Sequence, residues 1–245
     1  MLYRKIVFTF LLTTGMLNSF GQIHVSNSRQ QLTDLAFTVG ESQGSAAASY
    51  VHNWITGKNK KWELGYGVRL TSYFGAKKDF ITAPAKLARS TTFPFAIVFA
   101  DQLEKNFDTL TVQRPFTHSV NFTANVGYRL NKRLTAGFNI DLVGFTFGRT
   151  SPAVLTSNGV TQTEAAAKPS HFNLLLTCDN DLGSLNSEFF LRYQLNQRWY
   201  LRAVYQFLFI EYKTSSVKQT APDGTEVFRF RNKANNFGLG VSYRL

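Results

Sequence analysis

Val120-Asn121-Phe122-Thr123-Ala124-Asn125-Val126-Gly127-Tyr128-Arg129-Leu130 alternates apolar and polar residues at every step. Successive side chains of an extended chain point to opposite faces. The segment therefore reads as a strand with Val120, Phe122, Ala124, Val126, Tyr128 and Leu130 on one face and Asn121, Thr123, Asn125 and Arg129 on the other. Segments 62–70, 134–142, 189–195, 199–209 and 237–245 repeat the pattern. Such an apolar face meets either a second sheet, as in a sandwich, or lipid, as in a membrane barrel whose polar face fills the lumen. Periodicity alone does not choose between them; the N-terminus and the connections do.

Composition agrees with alternation and excludes several classes. Of 245 residues only 17% are charged, while 15% are aromatic, with 23 Phe. Outside the first twenty residues no apolar run approaches the roughly 18 residues of a transmembrane helix, so a polytopic helical protein is excluded. A hydrophobic fraction of 44% excludes intrinsic disorder.

At the N-terminus, Arg4 and Lys5 precede an apolar run over 6–12, and Ser19-Phe20-Gly21 offers small residues where a signal peptidase reads. The expected organisation is a signal peptide over 1–21, cleaved before Gln22, and a single β-barrel domain over 22–245. The run is too short for a membrane anchor helix. The lone Cys178 cannot form an internal disulfide. Without Arg4 and Lys5 the balance is 25 basic to 15 acidic residues, a charge of +10.

The connections alternate in length. Those at 57–61, 131–133 and 196–197 are short, whereas those at 77–115, 149–184 and 214–228 are long. Outer-membrane barrels combine short periplasmic turns with longer extracellular loops and an even strand number. The rule predicts about eight strands, at 33–42, 44–56, 62–76, 116–130, 134–148, 185–195, 198–213 and 231–245, with the first hairpin turning through Gln43-Gly44. All six prolines fall in or beside the long connections, and no predicted strand contains one. Trp54, Trp62 and Trp199 lie beside short turns with Tyr128, Tyr193 and Tyr243 at similar depth, which predicts an aromatic girdle at the periplasmic interface. A change of phase near Val143-Gly144 predicts a β-bulge.

At the C-terminus, Gly240-Val241-Ser242-Tyr243-Arg244-Leu245 resembles the terminal signal of outer-membrane barrels, with Leu245 in place of the usual Phe. With the N-terminal segment and the strand pattern, it makes the chain resemble the small outer-membrane β-barrel family, including the OmpA and OmpX types. The resemblance implies an all-β fold: a closed, antiparallel, transmembrane β-barrel of about eight strands with long extracellular loops. It further implies a Gram-negative cell outer membrane, outer-membrane lipid and lipopolysaccharide as surroundings, and insertion by the barrel assembly machinery. It implies no specific function.

Following the alternation inward places Glu63, Arg69, Arg129, Asp141, Glu188, Arg192, Arg202 and Arg244 in the lumen, among Asn121, Asn125, Asn139, Gln194 and Gln206. Arg side chains are expected to fork onto Glu63, Asp141 and Glu188, because buried charges require partners. The expectation is a plugged polar lumen; the alternative is a narrow, porin-like pore or a laterally opening transporter of small solutes. Lys77, Lys78, Arg114, Arg149 and Lys213 near the outer rim are candidate contacts for lipopolysaccharide phosphates. Phe93-Pro94-Phe95-Ala96-Ile97-Val98-Phe99 is a candidate lid or docking patch for an outer-membrane protein partner. Ala221-Pro222-Asp223-Gly224 is a tight turn expected to cap a ribbon above the surface. Ser72 and His118 fall at similar depth on the outward face, where a Ser–His pair could attack an acyl ester, but no acid on that face orients His118. We expect no enzyme, and retain a lipid-modifying enzyme as an alternative. The histidines are scattered, without zinc-ligand spacing, and no phosphate cradle is present, so no cofactor or metal is expected. Nucleic acid is not an expected partner of an exported membrane protein. A structural or surface-interaction role follows, including that of an accessory subunit of a larger outer-membrane complex.

Overall fold

Alternating apolar residues, rich in Val, Phe, Tyr and Leu, favour the pleated backbone because each face of a strand then meets one kind of surroundings. The computed structural model describes residues 29–88, 103–157, 159–176, 180–221 and 224–245. It is all-β apart from one helical turn, α1 (Ala85–Ala88), and a 3-10 turn at Glu104–Asn106. The strands are β1 (Arg29–Gly40), β2 (Gln43–Thr56), β3 (Trp62–Gly75), β4 (Lys77–Thr82), β5 (Thr109–Gln113), β6 (Phe116–Arg129), β7 (Leu134–Gly148), β8 (Ser151–Ser157), β9 (Val160–Pro169), β10 (Phe172–Leu174), β11 (Leu185–Gln194), β12 (Trp199–Lys213), β13 (Gln219–Thr220), β14 (Glu226–Val227) and β15 (Arg229–Arg244). The sequence leads to about eight strands; the described residues hold fifteen. Seven of them lie within the described parts of the three long connections, which therefore contribute sheet of their own.

Antiparallel ladders join β1 to β2, β2 to β3, β3 to β6, β6 to β7, β7 to β11, β11 to β12 and β12 to β15, and β15 pairs in turn with β1. Side chains on these eight strands are distributed opposite to those of a water-soluble sheet. Phe37, Val39, Phe145, Phe237 and Leu239 are more than 60% exposed, whereas Arg69, Asp141, Glu188 and Arg202 are at most 2% exposed.

A second set of ladders begins where β12 and β15 extend beyond the neighbours they had below. There β12 pairs with β9, β9 with β8, β8 with β5, β5 with β4, and β4 with β15. This upper body, the head, buries an ordinary apolar core. Phe80 of β4, Leu110 and Val112 of β5, Leu155 of β8, Ile210 and Tyr212 of β12 and Phe230 of β15 are each at most 1% exposed. Phe80 and Tyr212 meet edge to face, with centroids 5.3 Å apart.

Several local expectations are corrected. The first hairpin turns through Glu41-Ser42, not Gln43-Gly44: Gly40 and Gln43 form its last pair, and Ser42 takes the left-handed conformation at φ 54°. Gly44 serves a close approach instead, since a Cβ there would lie 2.8 Å from the Phe74 ring. Two prolines lie in strands after all, Pro152 in β8 and Pro169 at the end of β9. Pro152 sits between Ser151 and Ala153, where the ladder to β9 shifts register and a strand tolerates a residue without an N–H. In the β6–β7 ladder Leu142 is the extra residue, between Asp141, paired with Thr123, and Val143, paired with Phe122. That bulge keeps Asp141 inside while Val143, Phe145 and Phe147 face out. Gln219–Thr220 and Glu226–Val227 pair as β13 and β14, with Val217 buried in the head core and Ala221 and Val227 buried against Leu87 of α1. Segment 1–21, Phe93 to Phe99, Cys178, and Pro222 and Asp223 lie outside the described residues.

The head core makes a direct prediction. Phe230→Ala removes a fully buried ring and is expected to cost about 3–5 kcal/mol. Limited proteolysis read by mass spectrometry checks it: new cleavages are expected in 149–184 and 214–228, while the ladders among β1, β2, β3 and β6 stay protected.

Candidate functional site

The inward positions of the eight strands hold a polar network in three groups, one above another along the strands. At its centre Arg69 donates through Nε to Asp141 at 2.9 Å and through Nη1 to Asn139 at 2.5 Å, and its Nη1 lies 3.4 Å from Glu188. The second Asp141 oxygen accepts from Asn121 at 2.6 Å and from the Asn186 backbone N–H at 2.9 Å. Arg202 bridges Glu188 at 3.2 Å and Asp34 at 2.9 Å. Its guanidinium also lies 4.6 Å from the centre of the Phe190 ring. Phe190 occupies this inward place because Gly137 opposite it has no side chain; a Cβ there would lie 2.3 Å from the ring. Toward the head the network becomes neutral. Gln206 accepts from Thr38, Ser45 and Asn236 at 2.7–2.9 Å. Toward the short turns Glu63 accepts from Arg129 at 2.8 Å and from Arg192.

Seven of the eight residues expected in the network thus lie in two groups, Arg69, Asp141, Glu188 and Arg202 at the centre and Glu63, Arg129 and Arg192 toward the short turns. Arg244 does not join: it is exposed at the end of β15, because the strand ends where the short turns begin. Asp34 is a member the sequence reading omitted, although the alternation of Leu35, Phe37 and Val39 already placed it on the inward face. A second cluster was also missed. Glu211 receives Arg229 at 3.0 and 2.7 Å, Arg231 at 3.1 Å and the Ser170 hydroxyl at 2.5 Å. Both guanidinium groups also donate to the Asp181 carbonyl. Period-two phase puts Glu211 and Arg231 on the outward face, and they are buried because the segment around Ser170 and Asp181 folds over that face.

The aromatic girdle residues lie at the end with the short turns. Trp62 faces Tyr128 across one ladder and Trp199 faces Tyr243 across another, each pair with centroids 5.0 Å apart. Trp54 packs 5.4 Å from Tyr66, and Tyr193 is 43% exposed. Of the rim cations, Lys78 donates to the Glu41 carbonyl at 2.9 Å, Lys77 and Arg114 flank the β4–β5 ladder, and Arg149 lies 5.8 Å from the Phe116 ring centre. Lys213 is separate, across the ladders from Arg229 and Lys168. Ser72 Oγ and His118 Nδ1 are 2.8 Å apart, with the His118 ring between Phe116 and Phe147 at 4.7 and 5.4 Å. Among the described residues no group of three or more His, Cys, Asp or Glu could hold a metal.

In the head, Glu164 of β9 anchors the chain after β12. It accepts backbone N–H groups from Ser215 at 2.9 Å, Ser216 at 2.8 Å and Val217 at 3.3 Å, and the Ser216 hydroxyl at 2.9 Å. Burial alone would raise its pKa; the Ser216, Ser215 and Ala166 N–H donors outweigh it and hold the carboxyl at about 2.

Two predictions follow from these clusters. Glu188→Ala leaves Arg69 and Arg202 each short of a carboxylate in a dry interior, and is expected to cost about 3–5 kcal/mol in urea unfolding of the detergent-solubilised protein. A depressed carboxyl pKa contributes stability that is complete above its ordinary value of 4.5 and is lost as the pH falls toward about 2. The Ser215 and Ser216 amide resonances are therefore expected to titrate with a midpoint of about 2, not near 4.5, and Glu164→Gln is expected to abolish that titration.

No family model and no curated protein matches the chain. Among solved structures, Neisserial surface protein A (NspA) aligns over 89% of this chain and 96% of its own at 10% identity, with a TM-score of 0.35. Ail, the attachment invasion locus protein of Yersinia pestis, aligns over 90% and 100% at 11% identity, with a TM-score of 0.36. The CymD monoaromatic hydrocarbon channel aligns over 88% and 87% at 8% identity, with a TM-score of 0.22. Likenesses this distant carry no substrate, partner or residue role to this chain.

Proposed function

We propose that the chain is a closed, eight-stranded outer-membrane β-barrel, exported by cleavage of residues 1–21, with a plugged interior and a folded head on the cell surface. Its role is structural or surface-interactive, including that of an accessory subunit. Three features of the chain support the membrane placement. The eight ladders lead from β1 back to β1, so no strand edge is left open in an apolar solvent. The outward faces carry exposed Phe, Leu and Val, each worth roughly 1.5–3 kcal/mol when removed from water. Trp62 and Trp199 mark one end of that band.

The observation that carries the plugged reading is the near-complete burial of Arg69, Asp141, Glu188 and Arg202, each at most 2% exposed. An open channel would wet these side chains. Here each ion pair takes the place of water, and the apolar core of the head lies above them. The Ser72–His118 contact fits a pair of polar groups satisfying each other on an apolar face, so we assign no catalysis to it. Lys77, Lys78, Arg114, Arg149 and Lys213 would meet lipopolysaccharide phosphates at the head's base. The test of the plug is conductance. Purified protein in planar lipid bilayers is expected to give no steady open-channel current, and a sustained current would favour the pore alternative.

A further inference from the structure

At the end with the short turns the interior opens into a polar cavity of about 290 Å³. Its wall carries Arg129, Lys132, Arg133, Arg192 and Arg244, with Glu63 as the carboxylate among its lining residues. Five cations against one carboxylate leave a formal charge of +4. The centre of the network is balanced otherwise: Arg69 and Arg202 face three carboxylates, Asp34, Asp141 and Glu188. Glu63 accepts from Arg129 through one oxygen and from Arg192 through the other, so its single charge already faces two guanidinium groups before Lys132, Arg133 and Arg244 are counted. Arg192 is only 3% exposed, yet its Nε has no hydrogen-bond partner. Arg202, in the balanced centre, also has an unpartnered Nε, but at Arg192 that free donor coincides with a wall carrying four more positive charges than negative ones, and the two together suit an anion.

We propose that this cavity binds a phosphate group. Arg forks match its tetrahedral oxygens, and a surplus of several positive charges accommodates either a phosphodiester monoanion or a phosphomonoester dianion. Gln30 and Gln194, also in the wall, can donate amide N–H to the remaining oxygens. The phosphate would come from one of two sources, a phospholipid headgroup of the adjoining leaflet or a soluble phosphorylated compound. The anion site stands on the cavity and its charge, whereas the lipid source rests on the membrane placement proposed above.

Inorganic pyrophosphate is the probe, titrated by calorimetry into the mature protein in a neutral detergent. Saturable binding with a Kd below about 1 mM is expected. Arg133→Gln with Arg244→Gln removes two exposed cations that hold no carboxylate, and is expected to weaken binding about tenfold or more. Lys58→Gln with Lys60→Gln removes equal charge from a neighbouring turn outside the cavity, and should change the affinity by less than about twofold. No saturable binding by the unmodified protein up to about 10 mM overturns the proposal. An equal loss in both double variants also overturns it, because binding would then be diffuse. Should the cavity variant fail to fold by circular dichroism, the salt dependence of the unmodified protein decides. Affinity must fall as sodium chloride rises, and salt-independent binding overturns the site. Nanodiscs separate the sources. In discs of a neutral, phosphate-free glycolipid, pyrophosphate binding that is weakened more by added phosphatidylglycerol than by an equal charge of fatty acid identifies a headgroup competitor, and equal weakening identifies a soluble ligand.

Discussion

The pairing of charge inside the eight-strand set is the constraint on which the rest depends. An antiparallel strand sends every second side chain inward, and in this chain those positions carry Arg, Asp, Glu, Asn and Gln. A buried charge without a partner costs several kcal/mol, so the strands can hold only registers in which the guanidinium groups reach carboxylates. Arg69 spans from β3 to Asp141 on β7 and Glu188 on β11, and Arg202 on β12 spans to Asp34 on β1. A one-residue slip of any of these strands would move its charged residues to the outward face. The bulge at Leu142 is part of the same requirement, because it keeps Asp141 inside while restoring an apolar exterior above it.

Two strands carry the transition from this polar interior to the head. Along β12 the inward residues change from Arg202 and Gln206 to Leu208, Ile210 and Tyr212. Along β15 they change from Asn236 to Ala234 and Phe230, read toward the head. The two bodies therefore share a backbone ladder and invert their chemistry. Below, charge is paired within; above, apolar residues pack as in a soluble domain. In the proposed outer-membrane barrel this change of interior coincides with the change of surroundings from lipid to water. The head then covers one end of the polar network, while the other end keeps a cavity with excess positive charge.

Much of the strand pattern was legible because alternation is a local signal. Val120 to Leu130 reads as β6 from its composition alone, and the inward set from Glu63 to Arg202 follows from counting by two. Asp34 was equally legible from Leu35, Phe37 and Val39 on its two sides. Glu211 and Arg231 were not, because their burial depends on a segment 30 to 60 residues away in sequence folding over an outward face. The seven strands of the long connections were missed for a related reason. Their apolar positions, such as Phe80, Leu110 and Leu155, are few in each segment and form a core only when these segments meet one another and the ends of β12 and β15.

The amino-acid sequence by itself determined that the chain is all-β, which residues share a face, and which end holds the short turns and the aromatic rings. These are consequences of a period of two and of the residues that turns require. Tertiary structure alone decided which guanidinium meets which carboxylate, that the long connections build a second body on β12 and β15, and that five cations converge around Glu63. Those depend on register and on contacts between distant segments, and no local pattern encodes either.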